Sequence, residues 1–272
     1  MTVFPNAKIN IGLNVVERRP DGYHNIETIF YPIGLRDALS IEPSETCTDY
    51  SFSSSGIEIQ GDPEENLIIK AYRLLQTKYQ FPPIDIFLMK QIPFGAGLGG
   101  GSSDAAFTLK AINELFQLKI STKRLEQLAS KLGADCPFFI QNQPTFATGI
   151  GNIFSPVELS LEEYWLLLAK PDIHVSTPEA YAGVTPKPAE IPLSELVEMP
   201  VEEWKNFIFN DFEPSVFHKY PKIASIKEEM YEMGAAYASM SGSGSSVYGI
   251  FKEKPSFDGG FEGCFVICGE MD

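Results

Sequence analysis

The stretch PFGAGLGGGSSDAA, residues 93–106, decides the fold of this chain, because it places glycine at positions 95, 97, 99, 100 and 101. Ordering a glycine costs roughly 0.5–1 kcal/mol more than ordering an alanine. Some interaction must offset that loss. The stretch is therefore a flexible linker, a tight turn without a ligand, or a loop whose bare backbone approaches an anion.

The residues on either side of the glycines favour the anion site. Residues 84–90, IDIFLMK, are typical of a strand, and residues 102–116, SSDAAFTLKAINELF, predict a helix with Ser102 or Ser103 as its N-cap. A linker would not lie between a strong strand and a capped helix. Where a strand leads through glycines into a helix, unpaired N–H groups and the positive end of the helix dipole converge. This arrangement is typical of a phosphate site.

The rest of the chain predicts two domains of mixed helix and strand. Residues 7–15 alternate apolar and polar side chains, which predicts a half-buried strand with Lys8 and Asn10 on its polar side. Further segments have helical spacing (65–79, 122–132 and 221–233) or strand patterns (26–35, 164–171, 235–240, 246–251 and 264–268). Because the composition changes near residue 155, we predict one domain over residues 1–155 and another over 156–272, both within the α+β class.

Composition and charge exclude several classes of protein. The formal net charge is −15 and no basic face is evident, which argues against binding nucleic acid. The four cysteines match neither a paired zinc-binding motif nor a disulfide framework. No apolar run reaches the ~18 residues of a membrane span, and the N-terminal residues do not resemble a signal peptide. We therefore expect a cytoplasmic protein with no membrane partner.

Three common nucleotide-binding loops do not fit the glycine stretch. GAGLGG, residues 95–100, satisfies G-x-G-x-x-G, but another helix follows where a dinucleotide-binding fold needs a second strand and an acidic residue. A Walker A loop needs Lys-Ser or Lys-Thr after its last glycine, and this chain has neither there. The HRD and DFG motifs of protein kinases are also missing.

The stretch instead resembles the central phosphate-binding motif of the GHMP kinases, the family of galactokinase, homoserine kinase and mevalonate kinase. Four more segments are similar to that family: residues 7–28, AKINIGLNVVERRPDGYHNIET; 132–139, LGADCPFF; 146–156, FATGIGNIFSP; and 241–251, SGSGSSVYGIF. They resemble the branch that phosphorylates the 2-hydroxyl of a methylerythritol linked to cytidine diphosphate, in isoprenoid precursor biosynthesis. The resemblance implies an N-terminal domain like domain 2 of ribosomal protein S5 and a ferredoxin-like C-terminal domain.

The resemblance also implies ATP and Mg²⁺ as cofactors and assigns residues to the phosphoryl transfer. Asp135 would take the proton of the acceptor hydroxyl or orient that hydroxyl, although the residue alone favours a helix N-cap ahead of Pro137. Lys8 would be the cation beside it, although alone it reads as solvated surface. Asn66 would lie on the adenosine side. The phosphates would be wrapped by Pro93, Phe94, Gly95, Ala96, Gly97, Leu98, Gly99, Gly100, Gly101, Ser102 and Ser103.

The expected substrate side uses aromatic residues for the cytidine. Tyr23 and Tyr181 would cover the faces of the base while His24 reads its edge. Asn10, Ile150 and Thr177 would also contact the substrate, and Ser102 or Asp104 would reach a magnesium ion. Some relatives carry Asn where this chain has Asp104. We expect a small-molecule substrate and a monomer or homodimer.

Two rival functions remain open at this point. One is a kinase for a different small alcohol, which would lack the pyrimidine contacts of Tyr23, His24 and Tyr181. The other is a nucleotide- or RNA-binding module built on the same S5-like scaffold without transfer chemistry, for which the expected basic face is missing. The turn SGSGSS, residues 241–246, either closes over the phosphates or is only a turn.

Overall fold

The computed structural model of the chain describes residues 1–257 and 260–271. Its strands are β1 (Thr2–Val3), β2 (Asn6–Arg18), β3 (His24–Arg36), β4 (Ala38–Pro43), β5 (Tyr50–Gly56), β6 (Ile84–Lys90), β7 (Thr145–Thr148), β8 (Ile153–Pro156), β9 (Trp165–Pro171), β10 (Tyr237–Met240), β11 (Val247–Phe251) and β12 (Cys264–Glu270). Its helices are α1 (Leu67–Gln76), α2 (Gly100–Leu115), α3 (Thr122–Ala129), α4 (Phe138–Gln141), α5 (Thr177–Ala182), α6 (Leu193–Leu196), α7 (Val201–Trp204), α8 (Glu213–Lys219) and α9 (Pro221–Glu232). This mixture is of the α+β class.

The described strands form three four-stranded sheets. Their strand orders are β1-β4-β6-β5, β2-β3-β7-β8 and β10-β11-β9-β12. In the first sheet β6 pairs antiparallel with β4 and parallel with β5, while the third sheet is antiparallel throughout. Strand β6 thus runs through the middle of its sheet and ends at Lys90, directly before the glycine stretch.

The chain divides into two compact units, each built from separate segments. Unit 1 comprises residues 1–7, 35–94 and 99–143, and unit 2 comprises residues 8–34, 95–98 and 144–272. Unit 1 contains the first sheet with α1 to α4, and unit 2 contains the third sheet with α5 to α9. These units follow spatial contacts rather than chain order. The division between residues 155 and 156 stays a prediction.

Strand β2 is more deeply buried than its alternating sequence predicted. The alternation indicated one solvated face, but residues 6–13 are buried on both faces. Lys8 and Asn10, on the polar side, are each only 3% exposed. The prediction of a half-buried strand was therefore wrong in this respect. The physical reason is that the polar side chains are satisfied by hydrogen bonds inside the protein, described below, rather than by water.

Helix α2 begins earlier than the sequence predicted, and no serine caps it. Its first residue is Gly100 and its N-cap is Gly99, whose φ of +69° lies in the left-handed region and whose position offers no side-chain cap. Ser102 and Ser103 instead lie inside the first turn. Two glycines therefore adopt helical geometry, which leaves the first N–H groups of the helix without a side chain above them.

Unit 2 has its own apolar core between the third sheet and two helices. Ala169 of β9, Val247 of β11, and Ile223 and Met230 of α9 are fully buried in it, together with Phe212 just before α8. This core fixes the ends of β10 and β11, between which the SGSGSS turn lies.

Candidate active site

The glycine loop, residues 93–99, alternates the sign of its backbone φ angles. Gly95, Gly97 and Gly99 have φ values of +58°, +75° and +69°, while the two residues between them, Ala96 and Leu98, stay in the negative range and are buried. Successive residues of opposite backbone handedness turn their N–H groups toward one side, forming a concave anion site. The loop geometry therefore suits phosphate oxygens.

Gly97, at the tip of the loop, is held by two donors of unit 2. The Ser241 hydroxyl donates to the Gly97 carbonyl over 2.8 Å, and the Lys8 ammonium donates to the same carbonyl over 3.1 Å. A Cβ at Gly97 would lie 1.9 Å from the Ser241 carbonyl oxygen. Both the positive φ and the lack of space therefore demand glycine here.

Lys8 and Asn10 form a buried polar pair on β2. The Lys8 ammonium donates to Asn10 Oδ1 over 2.5 Å and lies 4.8 Å from the centre of the Phe30 ring. Asn10 Nδ2 donates to Thr28 Oγ1 over 2.9 Å, so both polar atoms of the Asn10 side chain are engaged. This burial excludes the simpler interpretation that Lys8 is a solvated surface residue. Its ammonium is placed at the tip of the glycine loop.

The SGSGSS turn contacts the glycine loop through Ser241, and it is held in place by a residue that the sequence did not single out. Ser241 Oγ also accepts the Asn10 backbone N–H over 3.1 Å, which ties β2 to the turn. Asn210 holds the turn from the other side, because its Nδ2 donates to the carbonyls of Met240 and Gly242, each over 2.8 Å. Sequence reasoning missed Asn210, since nothing local distinguishes it from any other asparagine.

The aromatic residues expected around the cytidine lie within unit 2, but they are arranged differently. Tyr23 is 62% exposed. His24 stacks on Tyr181, with ring centroids 4.7 Å apart and an angle of 13° between their planes. Phe212 also contacts Tyr181 in an edge-on arrangement, with the ring centroids 4.8 Å apart. The structure therefore brings His24 and Tyr181 together, and their stack leaves no room for a base between them.

A charged turn presents Tyr23 and His24. The Arg19 guanidinium donates to Asp21 through Nη2 over 2.7 Å and through Nε over 3.1 Å, and Asp21 Oδ1 accepts the Tyr23 N–H over 3.1 Å. The hydrogen bond from Arg19 holds the pKa of the Asp21 carboxyl below its usual value. Gly22 supplies the φ of +88° that the turn requires. Arg19 and Asp21 were also missed as functional candidates.

The start of α2 holds a buried ion pair. Asp104 Oδ2 accepts a hydrogen bond from the Lys90 ammonium over 2.7 Å, and burial raises the pKa of Asp104 against the opposing effect of the lysine charge. Asp104 is thus bonded to Lys90 through Oδ2, and its contact with a magnesium ion stays a prediction. The Ser102 hydroxyl hydrogen-bonds the Cys136 thiol, whose pKa burial raises to about 11. Cys136 is therefore a neutral thiol at physiological pH.

The remaining expected site residues are distributed over both units. Asp135 lies in unit 1 in the bend before α4, and Pro137 rather than Asp135 is the N-cap of that helix. The capping explanation of Asp135 is therefore wrong. Asn66 caps α1, because its Oδ1 accepts the Ile68 N–H over 2.9 Å. In unit 2, Ile150 is half-buried in the turn between β7 and β8, and Thr177 is exposed at the start of α5.

Among the described residues, no group of three or more His, Cys, Asp or Glu side chains could hold a metal ion. No described helix is long and apolar enough to cross a membrane.

Comparison with known proteins matches both halves of the chain. The family model for the GHMP kinases N terminal domain matches residues 66–149, and the model for the GHMP kinases C terminal domain matches residues 193–258. The chain is 56% identical over 273 residues to the 4-diphosphocytidyl-2-C-methyl-D-erythritol kinase of Bacteroides fragilis, with 100% of both chains covered. It is 57% identical over 274 residues to the enzyme of that name from Parabacteroides distasonis, again with 100% coverage of both.

A solved structure agrees with these matches. A 4-(cytidine 5'-diphospho)-2C-methyl-D-erythritol kinase has a TM-score of 0.79 and 34% identity, covering 92% of this chain and 90% of its own. The α+β fold predicted from the sequence is thereby confirmed, and so is the resemblance on which it rested. Since both family models and the full-length relatives agree, the chain belongs to the GHMP kinase family.

Proposed function

We propose that the chain transfers the γ-phosphoryl group of ATP to the 2-hydroxyl of 4-diphosphocytidyl-2-C-methyl-D-erythritol, a step of isoprenoid precursor biosynthesis by the methylerythritol phosphate route. GHMP kinases use ATP as phosphate donor, and relatives that carry the name of this kinase match the chain over its full length. The observation that carries the proposal is the Lys8 ammonium, buried 3.1 Å from the Gly97 carbonyl. It supplies a fixed cation at the tip of a loop shaped for phosphates.

The reaction needs a donor phosphate, an acceptor hydroxyl and neutralising charge held in line, because phosphoryl transfer leaves little covalent chemistry to the protein. The loop from Pro93 to Ser103 would wrap the phosphates with backbone N–H groups, and Asn66 would lie toward the adenosine. Lys8 would neutralise the charge that develops on the transferring group. Asp135 would take the proton of the 2-hydroxyl as the new O–P bond forms and ADP leaves. When bound with ATP, Mg²⁺ would neutralise phosphate charge, with Ser102 or Asp104 as its candidate ligand.

The acceptor would be selected through its cytidine. Tyr23 and Tyr181 would stack on the base, which requires the His24–Tyr181 stack to open and frees His24 to read the base edge. Asn10, Ile150 and Thr177 would complete the substrate contacts. Because the Asn10 amide is already bonded to Lys8 and Thr28, we assign it mainly to orienting Lys8. We further propose a cytoplasmic enzyme that acts as a monomer or homodimer.

The test is release of ADP by the purified protein with ATP and the cytidine conjugate, measured beside mevalonate and homoserine as acceptors. With ATP present, we expect turnover with the conjugate but not with mevalonate or homoserine, and we expect free cytidine to inhibit that turnover. Turnover with mevalonate or homoserine but not with the conjugate would show that the proposed substrate is wrong. Asp135→Ala should lower turnover while an ATP analogue still binds, and full activity in that variant would remove Asp135 from catalysis.

A further inference from the structure

A cluster of charged side chains lies at the base of the glycine loop, and the mechanism above does not use it. Lys90 is the last residue of β6, and its ammonium is bonded to Asp37 over 2.5 Å and to Asp104 over 2.7 Å. The Lys90 and Asp37 side chains are fully buried, and that of Asp104 is 5% exposed. We call Asp37, Lys90 and Asp104 the buried triad. All three belong to unit 1.

The triad holds the point where the chain enters the loop. Asp37 Oδ1 accepts the backbone N–H of Gln91 over 2.6 Å and that of Ile92 over 2.9 Å. These are the two residues between β6 and Pro93. Asp37 Oδ2 meanwhile accepts the Lys90 ammonium, so one carboxylate fixes both the backbone and the side chain at the exit of the strand.

The triad also holds the point where the chain leaves the loop. Asp104 stands on α2 and ties that helix to Lys90. A Cβ at Gly100, the first residue of α2, would lie 2.8 Å from Ile92 Cγ2 and 3.1 Å from the Lys90 ammonium. Ile92, just before the loop, and Gly100, just after it, therefore pack against each other beside the Lys90 ammonium.

A loop made largely of glycine has few side chains with which to fix its own shape, so its conformation depends strongly on its two anchor points. Two carboxylates share one cation here, and Asp104 Oδ1 is buried with no hydrogen-bond partner among the described residues. Such a cluster is a poor source of stability, because burying charges costs about as much as pairing them returns. We propose that the buried triad positions the glycine loop for ATP, with Asp37, Lys90 and Asp104 acting as positioning residues.

This inference rests on the proposed function only in requiring that the loop bind ATP. The test compares Asp104→Leu with Asp104→Asn, measuring by calorimetry the affinity for a non-hydrolysable ATP analogue in the absence of any acceptor. Both variants remove one charge and leave Lys90 balanced by Asp37. Only asparagine can still accept a hydrogen bond from the Lys90 ammonium. Asp104→Asn is therefore the conservative variant in which binding of the analogue should be retained.

We expect Asp104→Leu to weaken binding of the analogue by at least about tenfold, as the loss of one hydrogen bond to a charged group implies. Asp104→Asn should restore most of the affinity. The KM for ATP should follow the same order, while the KM for the acceptor stays unchanged. Asp104→Asn should melt within about 3 °C of the wild type, while Asp104→Leu should melt several degrees lower because the buried Lys90 ammonium loses a hydrogen-bond partner.

Wild-type affinity in a folded Asp104→Leu protein would overturn the proposal and leave the triad a structural cluster. Equal weakening in both variants would also overturn it, in favour of a role for the carboxylate charge itself. If Asp104→Leu does not fold, Lys90→Met/Asp37→Asn/Asp104→Leu removes all the charges and is judged by the same affinities. A wild-type protein that fails to bind the analogue would instead contradict the proposed function.

Discussion

Burial changes what Lys8 can do. A lysine on a solvated strand face would spread its charge into water, but this ammonium is held by Asn10 Oδ1 and the Gly97 carbonyl. Fixed donors in a site shielded from water stabilise developing charge more strongly than mobile ones, because they need not reorganise as the reaction proceeds. Lys8 thus anchors the loop, and we propose that it also neutralises the transferred group.

Replacing Lys8 with methionine should therefore affect turnover more than folding. We expect Lys8→Met to lower kcat by about 10²–10³-fold, comparable to the removal of one preorganised donor. Steady-state kinetics of the folded variant would measure this, with Lys78→Met, at an exposed position on the chain, as the control that keeps wild-type rates. An unchanged kcat in Lys8→Met would mean that the ammonium serves only to hold the loop.

Gly97 offers a second test at the residue scale. Gly97→Ala places a Cβ 1.9 Å from a backbone oxygen, so the loop must move. Gly234→Ala is the matched control, because Gly234 has a φ of +94° but nothing within 4 Å of the added atom. We expect both variants to lose about 1–2 kcal/mol from backbone strain, and only Gly97→Ala to lose ATP affinity. Equal ATP affinity in the two variants would contradict the close packing of Ser241 on the loop.

At the scale of elements, the turn between β2 and β3 positions Tyr23 and His24, the residues that we propose to contact the cytidine. Its shape comes from the paired hydrogen bonds of the Arg19 guanidinium with Asp21, which we call the fork. The hydrogen bond from the Tyr23 N–H to Asp21 and the left-handed backbone of Gly22 also contribute. The Arg19 N–H also donates to the Tyr23 carbonyl over 2.8 Å. Tyr23 itself is mostly exposed, so its orientation depends on this turn.

Removing the fork should weaken cytidine binding without touching ATP. We expect Arg19→Met to raise the KM for the cytidine substrate by roughly fivefold to twentyfold with kcat nearly unchanged, the pattern of lost ground-state binding. Arg73→Met, which breaks the ion pairs of Arg73 with Asp49 and Glu64 in unit 1, is the control. A fall in kcat at constant KM would argue against a positioning role for the turn.

The pH dependence of this effect follows from the lowered pKa of Asp21. A carboxyl whose folded pKa is lowered contributes its stabilisation above its unfolded pKa and loses it as the pH falls through the folded value. The fork is therefore intact throughout the neutral range. The increase in KM caused by Arg19→Met should be the same at pH 6 as at pH 8, which initial rates at the two pH values would check.

Local elements could be predicted well from the sequence, but their tertiary partners could not. The strand over residues 84–90 agrees with β6, and the helix over 221–233 agrees closely with α9, because both have clear periodicity. The start of α2 was missed, since glycines are poor helix formers and only the loop geometry makes them helical. Ser241, Asn210 and Asp37 act through contacts distant in sequence, which no local pattern reveals. His24 stacks on Tyr181 for the same reason.

At the scale of the whole molecule, the net charge opposes the approach of both substrates. The chain carries a formal charge of −15, and ATP and the cytidine conjugate are both anions. Raising the ionic strength from about 20 mM to about 200 mM shortens the range of this repulsion. We expect kcat/KM for each substrate to rise or stay level over that range, as measured at fixed free Mg²⁺. A severalfold fall would instead indicate a local funnel of positive charge that the sequence does not suggest.

The interleaving of the two units has a consequence for the order in which the protein can form during synthesis. Unit 1 ends at residue 143 of 272, so all of its segments have been synthesised once slightly more than half of the chain has been made. Residues 8–34 emerge among the first, yet they belong to unit 2, whose last strand ends at residue 270. Strand β2, which carries Lys8, can pair early with β3, but the hydrogen bonds of Asn10 with Ser241 and Tyr248 can form only after residue 248 has been made. Such long-range pairing slows folding. In a truncated chain lacking β12 we expect unit 2 to stay incompletely folded even when unit 1 has formed.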